Sequence, residues 1–224
     1  MTIQQSGRKI TWKQDPETVK AEILRVATKE FADQGLSGAR IDEIAAKTSF
    51  SKRMIYYYFG DKEGLYLHVL EAAYGRMRAG ENAPGLEALD PVEALRQLVG
   101  LTFDAHLSEP DFIRLVMIEN IHHARYLKTS KVIPDLNRPI IDKLRNVCDR
   151  GKAAGVFYPD ADPLELHWMI SALSFYNVSN RHSFGTSFGG SLHTPEGQAR
   201  LRHRAVEAVM AATVIGHKHV AAGA

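Results

Sequence analysis

Apolar residues recur at helical spacing through nearly the whole chain, and after Leu86 they nowhere alternate as a half-buried strand requires. After a polar opening stretch, Asp15-Pro16 marks a helix start, with Asp as N-cap and Pro at the first helical position. Val19, Ile23, Val26, Ala27 and Phe31 share one face of that helix, and Gly35 after Gln34 supplies a left-handed end. A second, short stripe of Ile41, Ile44 and Ala45 stops at Thr48-Ser49-Phe50, where Phe50 can plug a tight corner. Ser51 can cap the very short helix that follows, and Gly60-Asp61 breaks it. A longer helix then runs to about Ala79 on Leu65, Val69, Leu70, Ala73 and Met77. Past a loop marked by Gly80, Pro84 and Gly85, the periodicity predicts five more helices. They run from about Pro91 to His106, Pro110 to Tyr126, Pro139 to Ala154, Pro163 to Asn180 and Glu196 to His217. Ser183 to Ser191, SFGTSFGGS, reads as a flexible connecting loop; it lacks the Gly-Lys-Ser/Thr ending of a phosphate cradle. The predicted fold class is all-α, an N-terminal helix-turn-helix part followed by a larger helical part.

The short helix after Ser51 carries the sharpest chemistry. Lys52 and Arg53 lead into Ile55, Tyr56, Tyr57, Tyr58 and Phe59. A buried helix would not open on two cations, and an ordinary solvated one would not carry four aromatics in a row. A helix with one face on a small core and the other in a DNA groove needs both kinds of side chain. Lys52, Arg53 and Met54 open it and are expected to reach base edges; Tyr56, Tyr57 and Lys62 are expected to hold phosphates.

At these residues the chain resembles the TetR family of bacterial transcription regulators, whose DNA-binding signature is similar to SFSKRMIYYYFGDKEGLY. Ile44-Ala45, Ser51, Ile55-Tyr56, Phe59, Lys62-Glu63 and Leu65 match in order over the first third of the chain. Arg40 stands where the family usually has a capping Thr or Ser, and Ser49 stands where it usually has a turn-making Gly. The resemblance implies a homodimer that binds a double-stranded operator through Arg40, Ser51, Lys52, Arg53, Met54, Tyr56, Tyr57 and Lys62. It also implies a C-terminal part that takes a small-molecule effector and dimerises through its last two long helices.

Composition narrows the picture without deciding it. The 224 residues are 45% hydrophobic and 24% charged, ordinary values for a globular chain with a sizeable core. No apolar run approaches a membrane span, and the opening MTIQQSGRKITWK has no apolar signal region, so no membrane is expected. One cysteine, Cys148, permits no internal disulfide and fits a reducing cytoplasm. The formal net charge of +2 is uneven: through Lys62 there are eleven Lys and Arg against eight Asp and Glu, and afterwards seventeen against eighteen. The expected organisation is a basic arm over residues 1–14 with Arg8, Lys9 and Lys13, a helix-turn-helix domain over 15–62, and an effector-binding and dimerisation domain over 63–224.

In that last part, Phe103, His106, Met117, Asn120, His123, Tyr126, Trp168, Tyr176 and Asn177 combine aromatics with a few polar groups, as a ligand pocket does; a plain core with satisfied polar groups reads the same way. Ile170, Leu173, Ala205 and Val209, on the last two long helices, are the candidate dimer residues, with an intramolecular core as the other reading. Glu119, His122 and His123 have metal-ligand chemistry, but adjacent residues point about 100° apart on a helix, so no metal is expected. No catalytic or cofactor motif is present, and neither an enzyme nor a cofactor is expected. The competing reading is a helical ligand- or metal-binding protein whose basic N-terminal helices bind something other than duplex DNA.

Overall fold

The computed structural model describes residues 15–81 and 85–217, so the basic arm and Pro84 lie outside the described residues. Within them the chain forms ten α-helices. These are α1 Pro16–Gly38, α2 Ile41–Ala46, α3 Lys52–Phe59, α4 Lys62–Gly80, α5 Pro91–Ser108, α6 Pro110–Ile121, α7 Ile133–Ala153, α8 Pro163–Ser179, α9 Arg181–Phe188 and α10 Pro195–Thr213. Short 3-10 turns lie at Leu86–Ala88, Leu127–Thr129 and Ser191–His193. The chain divides into two compact units, one ending at His68 and the other beginning at Val69.

In the first unit the expected caps are in place. Asp15 Oδ2 accepts from the Thr18 N–H at 3.3 Å, and Ser51 Oγ accepts from the Met54 N–H at 3.3 Å. Gly35, at φ 67°, breaks the helical geometry of α1 where the Gly was expected to end it. The core is Ile23, Phe31, Ile44, Ile55, Leu65 and Tyr66, all fully buried, with the rings of Phe31 and Tyr66 edge-on at 5.1 Å. Burial of each such side chain stabilises by about 1.5–3 kcal/mol. Gly64 has a reason of its own: a Cβ there would sit 2.2 Å from the Phe59 carbonyl oxygen. Its N–H donates to Asp61 Oδ1 at 2.7 Å, which caps α4 as expected. Any larger residue at 64 would push the start of α4 off the end of α3.

In the second unit α5 packs against α8, α10 and α7. Leu95, Leu98, Leu144, Phe157, Ile170 and Val209 belong to their shared core. Gly151 leaves room for Phe157, whose ring would lie 2.3 Å from a Cβ at that position. The Glu207 side chain is wholly buried between the α5 cation Arg96, at 2.8 Å, and His217 Nε2, at 3.0 Å. Cys148 is buried too, and burial pushes its thiol up to about 11, so it is not a nucleophile at neutral pH.

Four elements differ from expectation, the last helix among them: α10 ends at Thr213 instead of His217, because Val214 turns to extended backbone and bridges to Phe157. α6 stops at Ile121 instead of reaching Tyr126, because the chain turns back through His123 and Ala124 at φ 58° and 57°. The buried Glu119 carboxylate holds that reversal, accepting from the N–H groups of Tyr126 and Leu127 at 3.0 Å each. α7 starts six residues early, on Ile133-Pro134, and carries Pro139 inside it instead of opening there. The stretch expected as a flexible loop is α9: Phe184 and Phe188, one turn apart, pair their rings at 4.8 Å, and Gly189 at φ 85° ends the helix.

Candidate nucleic-acid interface and effector-unit pockets

The face of α3 opposite its two buried anchors, Ile55 and Phe59, is exposed and holds Lys52, Arg53, Tyr56 and Tyr57, whereas Arg40 lies at the N-cap of α2 and Lys62 at the start of α4. Arg53 is exposed and makes no ion pair among the described residues; Tyr57 is 79% exposed, the most open of the large apolar side chains. Lys52 is exposed but engaged: its Nζ lies 2.9 Å from Asp42 Oδ1 of α2, and that carboxylate raises its pKa. Met54 and Lys62 are half-buried, Tyr56 is exposed, and Ser51 uses its hydroxyl on the helix cap. Arg40 occupies the N-cap position of α2 without a side-chain cap bond, so its exposed guanidinium is not used on the fold there. Ser49 is not in the left-handed region, and its N–H donates to Glu22 Oε1 of α1 at 3.1 Å. The turn therefore needs no glycine. Among the eight residues, the arrangement gives a protruding helix face with one uncommitted cation near its start and hydroxyls along it. Such a face can read base edges and grip phosphates.

The nine residues expected to form one pocket are not brought together. Phe103, Tyr176 and Asn177 do line one groove of about 690 Å³, with Phe184, His193 and Arg204 among its other walls. His106 is buried elsewhere, stacked at 6.3 Å on Phe112. Its Nδ1 lies 2.5 Å from Ser174 Oγ, and that hydroxyl donates to the Ile170 carbonyl at 2.7 Å. With the serine proton so used, Nδ1–H is the donor and the ring is the Nδ1 tautomer. Burial, followed by the nearby Arg78 guanidinium, lowers His106 to about 4, and the same two causes lower His167 to about 4. Both are neutral at pH 7. Met117 and Tyr126 are half-buried; Asn120 is exposed and spends its amide on the Val116 carbonyl of its own helix. His123 is exposed on the reversal after α6 and does not share a helix with Glu119's carboxylate partners.

The dimer residues also divide. Ile170 is 3% exposed and Val209 0%, and both belong to the chain's own core, so neither can be met by a partner subunit. Ala205 is buried as well; Leu173 alone of the four is exposed. The outer face of α8 is instead Leu164, Trp168, Ala172 and Tyr176, four apart, with Trp168 73% exposed. Trp168 and Tyr176 thus belong to an outward apolar stripe, which at Tyr176 and Ala172 also borders the groove. Periodicity could not choose, because α8 is apolar on both faces. Arg78 and Glu81, which line a smaller cleft, and the buried Ser174 that pairs with His106 were missed, since no local motif announces that a polar residue will be buried.

The description of tetracyclin repressor-like C-terminal domains matches residues 91–209, and that of the tetR family of bacterial regulatory proteins matches residues 23–69. The transcriptional repressor NicS of Pseudomonas putida is 32% identical over 186 residues, covering 83% of this chain and 88% of that protein. The transcriptional regulator RutR of Escherichia coli is 29% identical over 153 residues, 68% of this chain and 70% of its own. Among solved structures, the Streptomyces coelicolor transcriptional regulator SCO4942 is 26% identical with a TM-score of 0.64, over 87% of this chain and 98% of that one. The fatty acid degradation regulator FadR of Bacillus halodurans shares the fold, at 20% identity and a TM-score of 0.65 over 88% and 96% of the two chains.

Proposed function

The chain belongs to the TetR family of DNA-binding transcription regulators, and on that premise we propose that it is a repressor, bound as a homodimer to a palindromic operator and released by a small effector. Regulators of this family bind DNA and catalyse no reaction, and membership sets aside the reading in which the N-terminal helices bind something else. The observation that carries the proposal is the protruding face of α3, with Arg53 uncommitted and Tyr57 open beside it. Repression is the sign that the similarity to NicS favours.

Two-fold pairing supplies the second half-site that one recognition helix lacks. The stripe of Leu164, Trp168 and Tyr176 on α8 favours that helix as the subunit face. Helix α4 favours coupling of effector to operator, because one uninterrupted helix carries residues of both units. A ligand that prefers the operator-free state then weakens DNA binding, typically by 1–3 kcal/mol of coupling. We place the protein in the cytoplasm, with its operator; among the described residues no helix is long and apolar enough to cross a membrane.

The test combines gel retardation on DNA from upstream of the chain's own gene with light scattering. Specific retardation that weakens steeply with salt, by a particle of dimer mass, is expected. Trp168→Glu should give monomers that keep helical content and lose most operator affinity, whereas Ile170→Glu should unfold the second unit. A Trp168→Glu protein that stays dimeric on the operator would remove α8 as the subunit face.

A further inference from the structure

An exposed acid stands among the DNA-facing residues of the first unit. Asp42, in the first turn of α2, lies against the opening of α3: Lys52 Nζ is 2.9 Å from its Oδ1 and 3.2 Å from its Oδ2. Both side chains are open to solvent, Lys52 at 47% and Asp42 at 60%. An exposed pair of this kind adds little to stability, so the fold does not require it. Arg40 and Tyr56 lie within electrostatic reach of the same ammonium, and Arg53 follows it in the chain. The neighbouring acid, Glu43, acts on Lys47 instead. A carboxylate at Asp42 repels the phosphates of an approaching duplex. A hydrogen bond accepted from a base amino group would offset that repulsion.

Resting on the reading of α3 as the recognition helix, we propose that Asp42 and Lys52 together read one G·C base pair in the major groove. The ammonium donates to guanine O6, and the carboxylate accepts from the N4–H of the cytosine paired with it. The atoms match in kind, since lysine donates to guanine acceptors and aspartate accepts from the cytosine amino group. They match in spacing too. O6 and N4 are hydrogen-bonded to each other and so lie ~2.9 Å apart; the protein's donor and acceptor are 2.9 Å apart. The ion pair exhausts neither group, because an ammonium has three donors and a carboxylate about four acceptor sites. An A·T pair fits less well: its single amino donor lies between two acceptors, with the thymine methyl beside them. Asp42 thereby adds α2 to a reading surface that α3 would otherwise supply alone.

The test is selection of binding sites by the full chain from random duplex DNA, followed by competition binding on single-base variants of the selected site. The site should contain a G·C pair at which Asp42→Ala and Lys52→Ala each lower discrimination at least about fivefold. The double variant should lose no more there than either single change, because the two side chains read one pair. On sequences that lack the pair, Asp42→Ala should bind as tightly as the parent or tighter, since a negative charge is gone. Cytosine methylated at N4 separates base contact from positioning of Lys52: it should weaken the parent at least about fivefold and leave Asp42→Ala unaffected. Tightening of every sequence by one factor in Asp42→Ala, a shared position that is A·T, or equal N4-methyl penalties in parent and Asp42→Ala would each overturn the proposal. Arg53→Ala on the same variants separates the two readings. If it relaxes the selected site while Asp42→Ala does not, α3 stands as the recognition helix and the paired reading falls. If the parent selects no sequence, the recognition-helix reading falls and the paired reading with it.

Discussion

The two units differ in where their candidate functional polar groups lie, although the first also buries Glu30, paired with Lys47 at 2.7 Å. In the first, the chemistry faces outward: Arg53, Tyr56 and Tyr57 project from α3, and the ion pair of Lys52 with Asp42 lies at the surface. In the second, much of it is buried: His106 with Ser174, Glu119 on two backbone N–H groups, Glu81 with Arg78, Glu207 with Arg96 and His217. A recognition surface for a wet, charged partner must be exposed before the partner arrives. A unit that holds a small molecule needs polar groups out of water, and each then depends on a specific neighbour. Substitutions in the second unit should therefore register as stability, and those on α3 as affinity.

The largest effect should come from Glu207→Ala. The carboxylate is wholly buried and bridges α5 and the segment after α10, so its loss takes that partner from His217 and leaves Arg96 only its longer contact with Glu93 at 3.7 Å. Breaking a buried pair costs about 3–5 kcal/mol, and the lower end applies here because Arg96 is partly exposed and can reach water. Denaturant unfolding should show that loss. Asp42→Ala removes an exposed partner of Lys52 and should change stability by less than about 1 kcal/mol. Comparable losses for the two would erase the contrast between the units.

The pH response should sharpen it. Burial holds His106 and His167 at about 4 in the folded chain, against 6.5 for an ordinary imidazole. As pH falls through 6.5 the unfolded chain takes up protons that the folded chain refuses until about 4, so stability is complete above 6.5 and declines across that window. For His106 the loss is on the order of 3 kcal/mol; half-buried His167 contributes less. The measurement is an NMR titration of the ring resonances alongside unfolding free energies from pH 7 to pH 4. Either imidazole titrating near 6.5 in the folded protein would contradict its burial.

The same contrast explains what could be read without coordinates. Caps at Asp15, Ser51 and Asp61, and the inward pair Ile55 and Phe59, follow from local spacing, and α3 with its exposed cation was legible for that reason. Periodicity found the cores of α5, α8 and α10 but not which face of α8 is inside, because Ile170 and Trp168 sit on opposite sides of a helix that is apolar all round. Pro139 was legible only as a helix start, yet it lies inside α7, where Pro134 had already opened the helix. The pairing of His106 with Ser174, 68 residues apart, exists only after folding.

Next in size are the effects on DNA. Arg53→Ala should cost about 1–3 kcal/mol at the base it reads and so flatten discrimination between operator and mismatched sites. Lys62→Ala, at the start of α4, should weaken all sequences alike and lower the salt slope by about one. Competition binding across a set of single-base operator variants measures both. If Arg53→Ala weakened every variant equally, the exposed cation would be a phosphate contact, and base reading would fall to Lys52 or Met54.

The smallest effect tests the turn between α2 and α3. A glycine is usual there in the family, and a residue forced to positive φ would gain from it. Ser49 is not at positive φ; its N–H is already held by Glu22 Oε1, and Phe50 beside it is half-buried. Glycine at this position would relieve no strain, and it would add backbone freedom to the unfolded chain. Ser49→Gly should therefore destabilise, by roughly 0.5–1 kcal/mol, instead of stabilising. Thermal unfolding of the purified variant decides the sign, and a higher melting temperature would mean that the turn is strained after all. Operator affinity should change little, since the backbone that aims Arg53 is fixed by the cap at Ser51 and the anchors at Ile55 and Phe59.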